Sequence, residues 1–103
     1  MDVNFFKDCE IAMEFELVEA RKRFVSESTK AIEMQLKPGG EIPEHGTPES
    51  IIFYVLEGSG ILGINGETTE VSPGAVAHCP SEVKKFIKNT GDTLLKVLVV
   101  KMS

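Results

Sequence analysis

The chemistry available to this sequence is concentrated between His45 and Lys85. His45 and His78 are its two histidines, and imidazole titrates near neutral pH, so each is a candidate general base or metal ligand. Thr47 and Glu49 follow His45 at alternate positions, which on a strand would place all three on one face, with Ile51 and Phe53 continuing it. A carboxylate beside an imidazole can orient it for proton abstraction or share a divalent ion with it. His78 and Cys79 precede Pro80 and are the other spare donors. Val76 and Ala77 are both apolar, so the face that His78 takes stays open. Plainer roles stand beside these. His45 can be a hydrogen-bonded residue without function, His78 a satisfied strand residue, and Cys79 a small buried hydrophobe. Lys84, Lys85 and Lys88 can form a solvated strand face, and Arg21-Lys22-Arg23 an exposed strand end or turn, or an anion contact.

Short strands must position these residues. Turn signals fall at Lys37-Pro38-Gly39-Gly40, Glu57-Gly58-Ser59-Gly60, Asn65-Gly66, Ser72-Pro73-Gly74 and Asn89-Thr90-Gly91-Asp92, too closely spaced for helices. Between them lie β-branched and aromatic runs, Ile51 to Val55 and Leu94 to Val100 above all. Asn65-Gly66, flanked by Ile61–Ile64 and Glu67–Val71, predicts a hairpin with a type I′ turn. Asp8 to Phe24 fits a helix through Ile11, Phe15 and Val18, but the alternation from Phe15 to Glu19 fits a strand as well. Strands are preferred there, with a short N-terminal helix or turn as an addition. The chain is predicted to be all-β, a sandwich or closed barrel.

Composition narrows the function classes. The 103 residues fit one domain, 1–103. Sixteen acidic against eleven basic residues give a net charge of −5, which lacks the basic footprint of a nucleic-acid binder. The longest apolar run, Ile51 to Leu56, is six residues, far short of the roughly 20 that span a bilayer. Neither a signal peptide nor a disulfide framework is apparent, so a cytoplasmic protein with reduced thiols is expected.

The spacing of two segments carries a family resemblance. Gly39, five residues, His45 and a glycine thirteen residues further on, Gly58, resemble the first cupin motif, G-x5-H-x-H-x3,4-E-x6-G. Gly74, five residues, Pro80 and then Asn89 resemble the second, G-x5-P-x-G-x2-H-x3-N, with fifteen residues separating Gly58 from Gly74. The resemblance implies a double-stranded β-helix, the cupin jelly-roll barrel of six to eight strands, with leading strands over 12–36 and a closing strand over 93–101. It also implies a cytoplasmic protein, often a homodimer.

Most cupins hold a transition metal with three His and one Glu. Mapped onto this sequence, only His45 survives; the other ligand positions hold Thr47, Ile51 and Lys85. A neutral hydroxyl, an alkyl group and an ammonium do not make a divalent-ion site. No metal or other cofactor is therefore expected; a rewired site would have to use His45, Glu49 and His78. The resemblance directs Lys85 inward, where with His45 it would favour a carboxylate or phosphate. The expected function is binding of a small, anionic organic ligand in a cavity formed by His45, Thr47, Glu49, Ile51, Phe53, His78 and Lys85. A cupin enzyme remains open as the alternative, either a metal-independent isomerase or epimerase with His45 as base, or a dioxygenase or isomerase using the rewired site. A barrel packed solid by Ile51, Phe53 and Val55 is the structural reading.

Overall fold

The computed structural model describes all 103 residues. After a single 3-10 turn, Phe6–Asp8, ten strands follow: β1 Ile11–Phe15, β2 Val18–Val25, β3 Thr29–Leu36, β4 Glu41–His45, β5 Ser50–Glu57, β6 Gly60–Ile64, β7 Glu67–Val71, β8 Val76–Cys79, β9 Lys85–Lys88 and β10 Leu95–Met102. They form a six-stranded sheet, ordered β1-β2-β3-β10-β5-β8, and a four-stranded sheet, ordered β4-β9-β6-β7, with every pairing antiparallel. Between 8 and 24 the chain forms the β1–β2 hairpin and no α-helix, with the 3-10 turn as the short N-terminal addition. Ten strands form where the resemblance implies six to eight, because the β1–β2 hairpin lengthens one sheet.

Alternation in the sequence dictates what the sheets bury. In β5, Ile51, Phe53 and Val55 are buried, and in β10 so are Leu95, Val97 and Val99. Side chains of opposite parity are exposed or half-buried, as a period of two requires. β9 obeys the same rule with unusual content: Lys85, Ile87 and the following Asn89 are all buried. Lys85 therefore enters the core because its neighbours of equal parity must.

Two turns match their sequence signals. Asn65 and Gly66 adopt φ of 53° and 81°, the positive values that a type I′ hairpin needs. Gly58 has φ of 82°, and a Cβ there would collide with the Leu94 carbonyl. Glu82 is less expected. It takes φ of 67° where the second motif carries glycine, and its backbone N–H donates to the Thr47 carbonyl at 2.7 Å.

Two sequence readings need correction. Residues 45–55 are not one strand: β4 ends at His45, residues 46–49 cross from one sheet to the other, and β5 starts at Ser50. Pro48 has no N–H for a ladder, so strand parity cannot run from His45 to Glu49. Arg21-Lys22-Arg23 is not a strand end or turn but the body of β2. Arg23 pairs there with the buried Glu33 of β3, and Arg21 binds Glu19 while its guanidinium lies 5.2 Å from the Phe6 ring centre.

Asn89 fastens this frame. It is 1% exposed, and its Nδ2 donates to the carbonyls of Leu36 and Thr93 at 2.8 Å each, while Oδ1 accepts from the Gly91 N–H at 2.9 Å. Its side chain thus ties the end of β3 to the loop that leads into β10. Asn89→Ala strands the buried Leu36 carbonyl and removes two part-buried bonds, at about 1–3 kcal/mol per unsatisfied group. The expected outcome is a loss of about 2–4 kcal/mol in urea unfolding, with an unchanged m-value. An unaltered midpoint would show that water replaces the side chain without cost.

Candidate functional site

A cavity of about 130 Å³ lies between the two sheets. Its wall is apolar, built from inward residues such as Met34, Ile42, Ile51, Phe53, Ile87 and Val99, and β1 contributes Ala12 and Met13 at its rim. Eleven of the fourteen lining residues are hydrophobic; the other three are His45, Lys85 and Lys101, so every polar side chain on the wall is basic. An engineered apolar cavity of about 150 Å³ holds benzene, so this one suits a molecule of about six non-hydrogen atoms.

Lys85 is the innermost polar group, 3% exposed. Its Nζ donates to Thr47 Oγ1 at 2.7 Å, and the Thr47 hydroxyl donates onward to the Glu49 carbonyl at 3.3 Å. The Glu82 turn holds Thr47 in place through its backbone bond to the Thr47 carbonyl. None of the ion pairs in the structure involves Lys85 or Lys101. Burial pushes Lys85 below the ordinary lysine range, and Lys101 acts in the same direction, while Cys79, Glu49 and Glu82 oppose. Burial also raises the Cys79 thiol above its ordinary value, so at neutral pH it is uncharged and its opposition vanishes. Cys79 Sγ lies 3.5 Å from the Val83 carbonyl, a weakly bonded core thiol.

His45 stands across from Lys85 in the β4–β9 pairing and is exposed at the cavity mouth. Its Nδ1 lies 2.8 Å from the Pro43 carbonyl. A carbonyl only accepts, so Nδ1 carries the proton and neutral His45 presents the lone pair of Nε2.

The structure brings together four of the seven residues singled out from sequence: His45, Ile51, Phe53 and Lys85 line the cavity. Thr47 stands behind it as the acceptor for Lys85. Glu49 is absent from the wall and lies 3.8 Å from Lys30, so it does not orient His45. His78 is paired with Ile52, points away from the cavity, and bonds Ser50 Oγ through Nε2 at 2.7 Å. Cys79, with Ala77, forms the inward side of that strand. Sequence reasoning missed Lys101, although Leu95, Val97, Val99 and Lys101 share one parity in β10 and the signal was present.

A divalent ion does not fit these side chains. No three His, Cys, Asp or Glu residues converge, so His45, Glu49 and His78 are not gathered into a rewired site. Two of the motif's ligand positions, Thr47 and Lys85, are instead joined to each other by a hydrogen bond. A cation there would also meet Lys85 and Lys101 on the same wall.

Lys85 has a measurable consequence for stability. Its folded-state pKa is lowered, so between that value and the ordinary 10.5 the unfolded chain binds more protons, and stability rises with pH across that window. Lys85→Met removes the cost of burying an ammonium, and its melting temperature is expected to equal or exceed the wild type's near pH 7. The difference should shrink as pH rises to about 10, because the wild-type amine loses its charge. Thermal scans of both proteins across pH test this; a strong destabilisation at neutral pH would mean that Lys85 is firmly compensated inside.

Known proteins share this frame. Residues 32–101 match the model of the cupin domain family. The oxalate-binding protein of Thermotoga maritima is 35% identical over 68 residues, covering 65% of this chain and 56% of that protein. An uncharacterized protein of Methanocaldococcus jannaschii is 36% identical over 55 residues, 53% of this chain and 43% of its own length. The chain thus spans about half the length of these curated relatives. The crystal structure of a predicted oxalate decarboxylase from T. maritima superposes with a TM-score of 0.87 at 25% identity and covers 98% of both chains. No helix is long and apolar enough to cross a membrane. With both motifs in register on two facing antiparallel sheets, the chain belongs to the cupin domain family.

Proposed function

We propose that this cupin binds a small organic anion, a carboxylate of about six non-hydrogen atoms, without a metal. One observation carries the reading: the three polar side chains on an otherwise apolar cavity wall, His45, Lys85 and Lys101, are all basic. Apolar walls with a few polar groups that fix orientation are the usual form of small-molecule sites. Neither lysine is in an ion pair, so a desolvated anion would find charge partners in both. The name of the oxalate-binding relative from T. maritima fits the same ligand class.

Calorimetric titration of metal-stripped protein with oxalate, malonate and acetate tests this. Saturable binding at one site per chain is expected, weakened at least tenfold in Lys101→Met, a loss of about 1.4 kcal/mol. His45→Ala should weaken binding while leaving the melting temperature within a few degrees, since its ring is exposed. Binding that requires an added divalent ion, or no binding of any short carboxylate, would overturn the reading.

The proposed assembly is a homodimer through β1. This strand is the edge of the six-stranded sheet, all five of its residues are exposed, and Ile11, Met13 and Phe15 are each about 40% accessible. It carries no lysine or proline to block pairing, and an antiparallel edge is its own complement about a two-fold axis. Sedimentation equilibrium is expected to give twice the chain mass, falling to one chain in Ile11→Lys/Phe15→Lys; a monomeric wild type would overturn the proposal.

A further inference from the structure

Lys85 differs from a lysine that merely holds an anion. Its amine lies in an apolar chamber with one neutral hydrogen-bond acceptor, Thr47 Oγ1, and no carboxylate in ion-pair contact. A second cation, Lys101, shares the wall. An ammonium has three N–H donors and Thr47 accepts one, whereas a neutral amine in the same place would leave a lone pair for the cavity. Desolvation and a cationic neighbour are the two conditions that turn a lysine into a nucleophile near neutral pH. Burial lowers the Lys85 pKa, aided by Lys101 and opposed by Cys79, Glu49 and Glu82, with the net direction downward, in keeping with that geometry.

From this arrangement we infer that Lys85 forms an imine with a short 2-oxo acid, whose carboxylate is held by Lys101. The inference rests on the carboxylate-binding reading and narrows its ligand class. A 2-oxo acid places an electrophilic carbonyl carbon next to a carboxylate, and the smallest of them have five or six non-hydrogen atoms, within the cavity's capacity of about six. The chamber has one amine to attack and a second cation to hold the charge.

The step balances without an oxidant or a further reactant. The Lys85 nitrogen attacks the carbonyl carbon, the C=O π pair moves to oxygen, and a proton passes from nitrogen to that oxygen to give a carbinolamine. The hydroxyl, protonated, then leaves as water, and the nitrogen lone pair closes the C=N bond. Hydrolysis is the reverse. His45 at the mouth, with Nε2 as its free nitrogen, is placed to carry the proton to the departing hydroxyl and to deprotonate the returning water. The imine so formed acidifies the carbon next to it, the property that makes lysine imines useful in catalysis.

Reductive trapping decides the matter. The full chain is incubated with pyruvate or glyoxylate and sodium cyanoborohydride, and the product is read by intact mass and peptide mapping. With pyruvate, one adduct is expected, heavier than the protein by pyruvic acid less one oxygen, and located on Lys85. Oxalate should suppress it by competing for Lys101, and Lys101→Met should slow it at least tenfold. Lys85→Met should abolish it, with the circular dichroism spectrum confirming that this variant is folded. Labelling spread over surface lysines, or confined to Lys101, would overturn the inference. If oxalate still binds by calorimetry in that case, the carboxylate reading stands and only the imine falls; if neither ligand engages the cavity, both fall.

Discussion

The hydrogen bond from Lys85 to Thr47 is the contact on which the rest of the site depends. Lys85 points inward because Ile87 and Asn89, at equal parity in the same segment, are core residues, and Asn89 is anchored through its side chain to β3 and to the loop before β10. An amine carried into the core this way must find an acceptor. Thr47 supplies one because the Glu82 turn grips its carbonyl and its hydroxyl proton is already directed to the Glu49 carbonyl. The fold thus accepts a left-handed backbone at a non-glycine residue, which for most side chains costs about 1–2 kcal/mol, at the turn that secures the acceptor.

The proposed chemistry of the cavity follows from two lysines that no ion pair engages. Near the protein surface, where the effective dielectric constant is about 20, two unit charges 4 Å apart interact by about 4 kcal/mol. On the proposed reading a carboxylate brought between Lys85 and Lys101 would be attracted by both, and would offset the desolvation of Lys85. A divalent cation meets the same two lysines as a repulsion. On the same reading, the side chains that make the site unsuited to the motif's usual metal are the ones that would suit it to an anion.

The sequence carried the fold clearly because alternation and turn chemistry are local. Asn65-Gly66, Gly58 and the runs Ile51–Val55 and Leu94–Val100 announce strands and reversals without reference to the rest of the chain. The two motifs add a register that local reasoning lacks. Site geometry was legible only where it inherits that register, as for His45 and Lys85. Glu49 was misplaced because a parity argument was carried through Gly46 and Pro48, where the chain leaves one sheet for the other. His78 was ambiguous because its apolar neighbours occupy both faces, and only the pairing of Cys79 with Ile51 makes the inward face visible. Lys101 could have been found from the alternation of β10. The cavity itself could not, since its volume depends on how side chains from both sheets fail to meet.

Two lysines can divide work that one cannot perform. A lysine that holds a carboxylate does so as an ammonium, and an ammonium has no lone pair to form a bond. A lysine that attacks a carbonyl must be an amine, and an amine contributes no charge to hold the ligand in place. In this barrel the more buried Lys85 has its pKa lowered by desolvation, and the proposed attacking role falls to it and the carboxylate to Lys101. A ligand with only a carboxylate would favour the ammonium form of Lys85. A ligand whose charge is satisfied by Lys101 and whose neutral carbonyl faces Lys85 leaves that residue as the amine. On the proposed reading the occupant of the cavity sets the protonation state of Lys85, and the same pair of side chains would serve as an anion cradle for one ligand and as a nucleophile with its counter-charge for another.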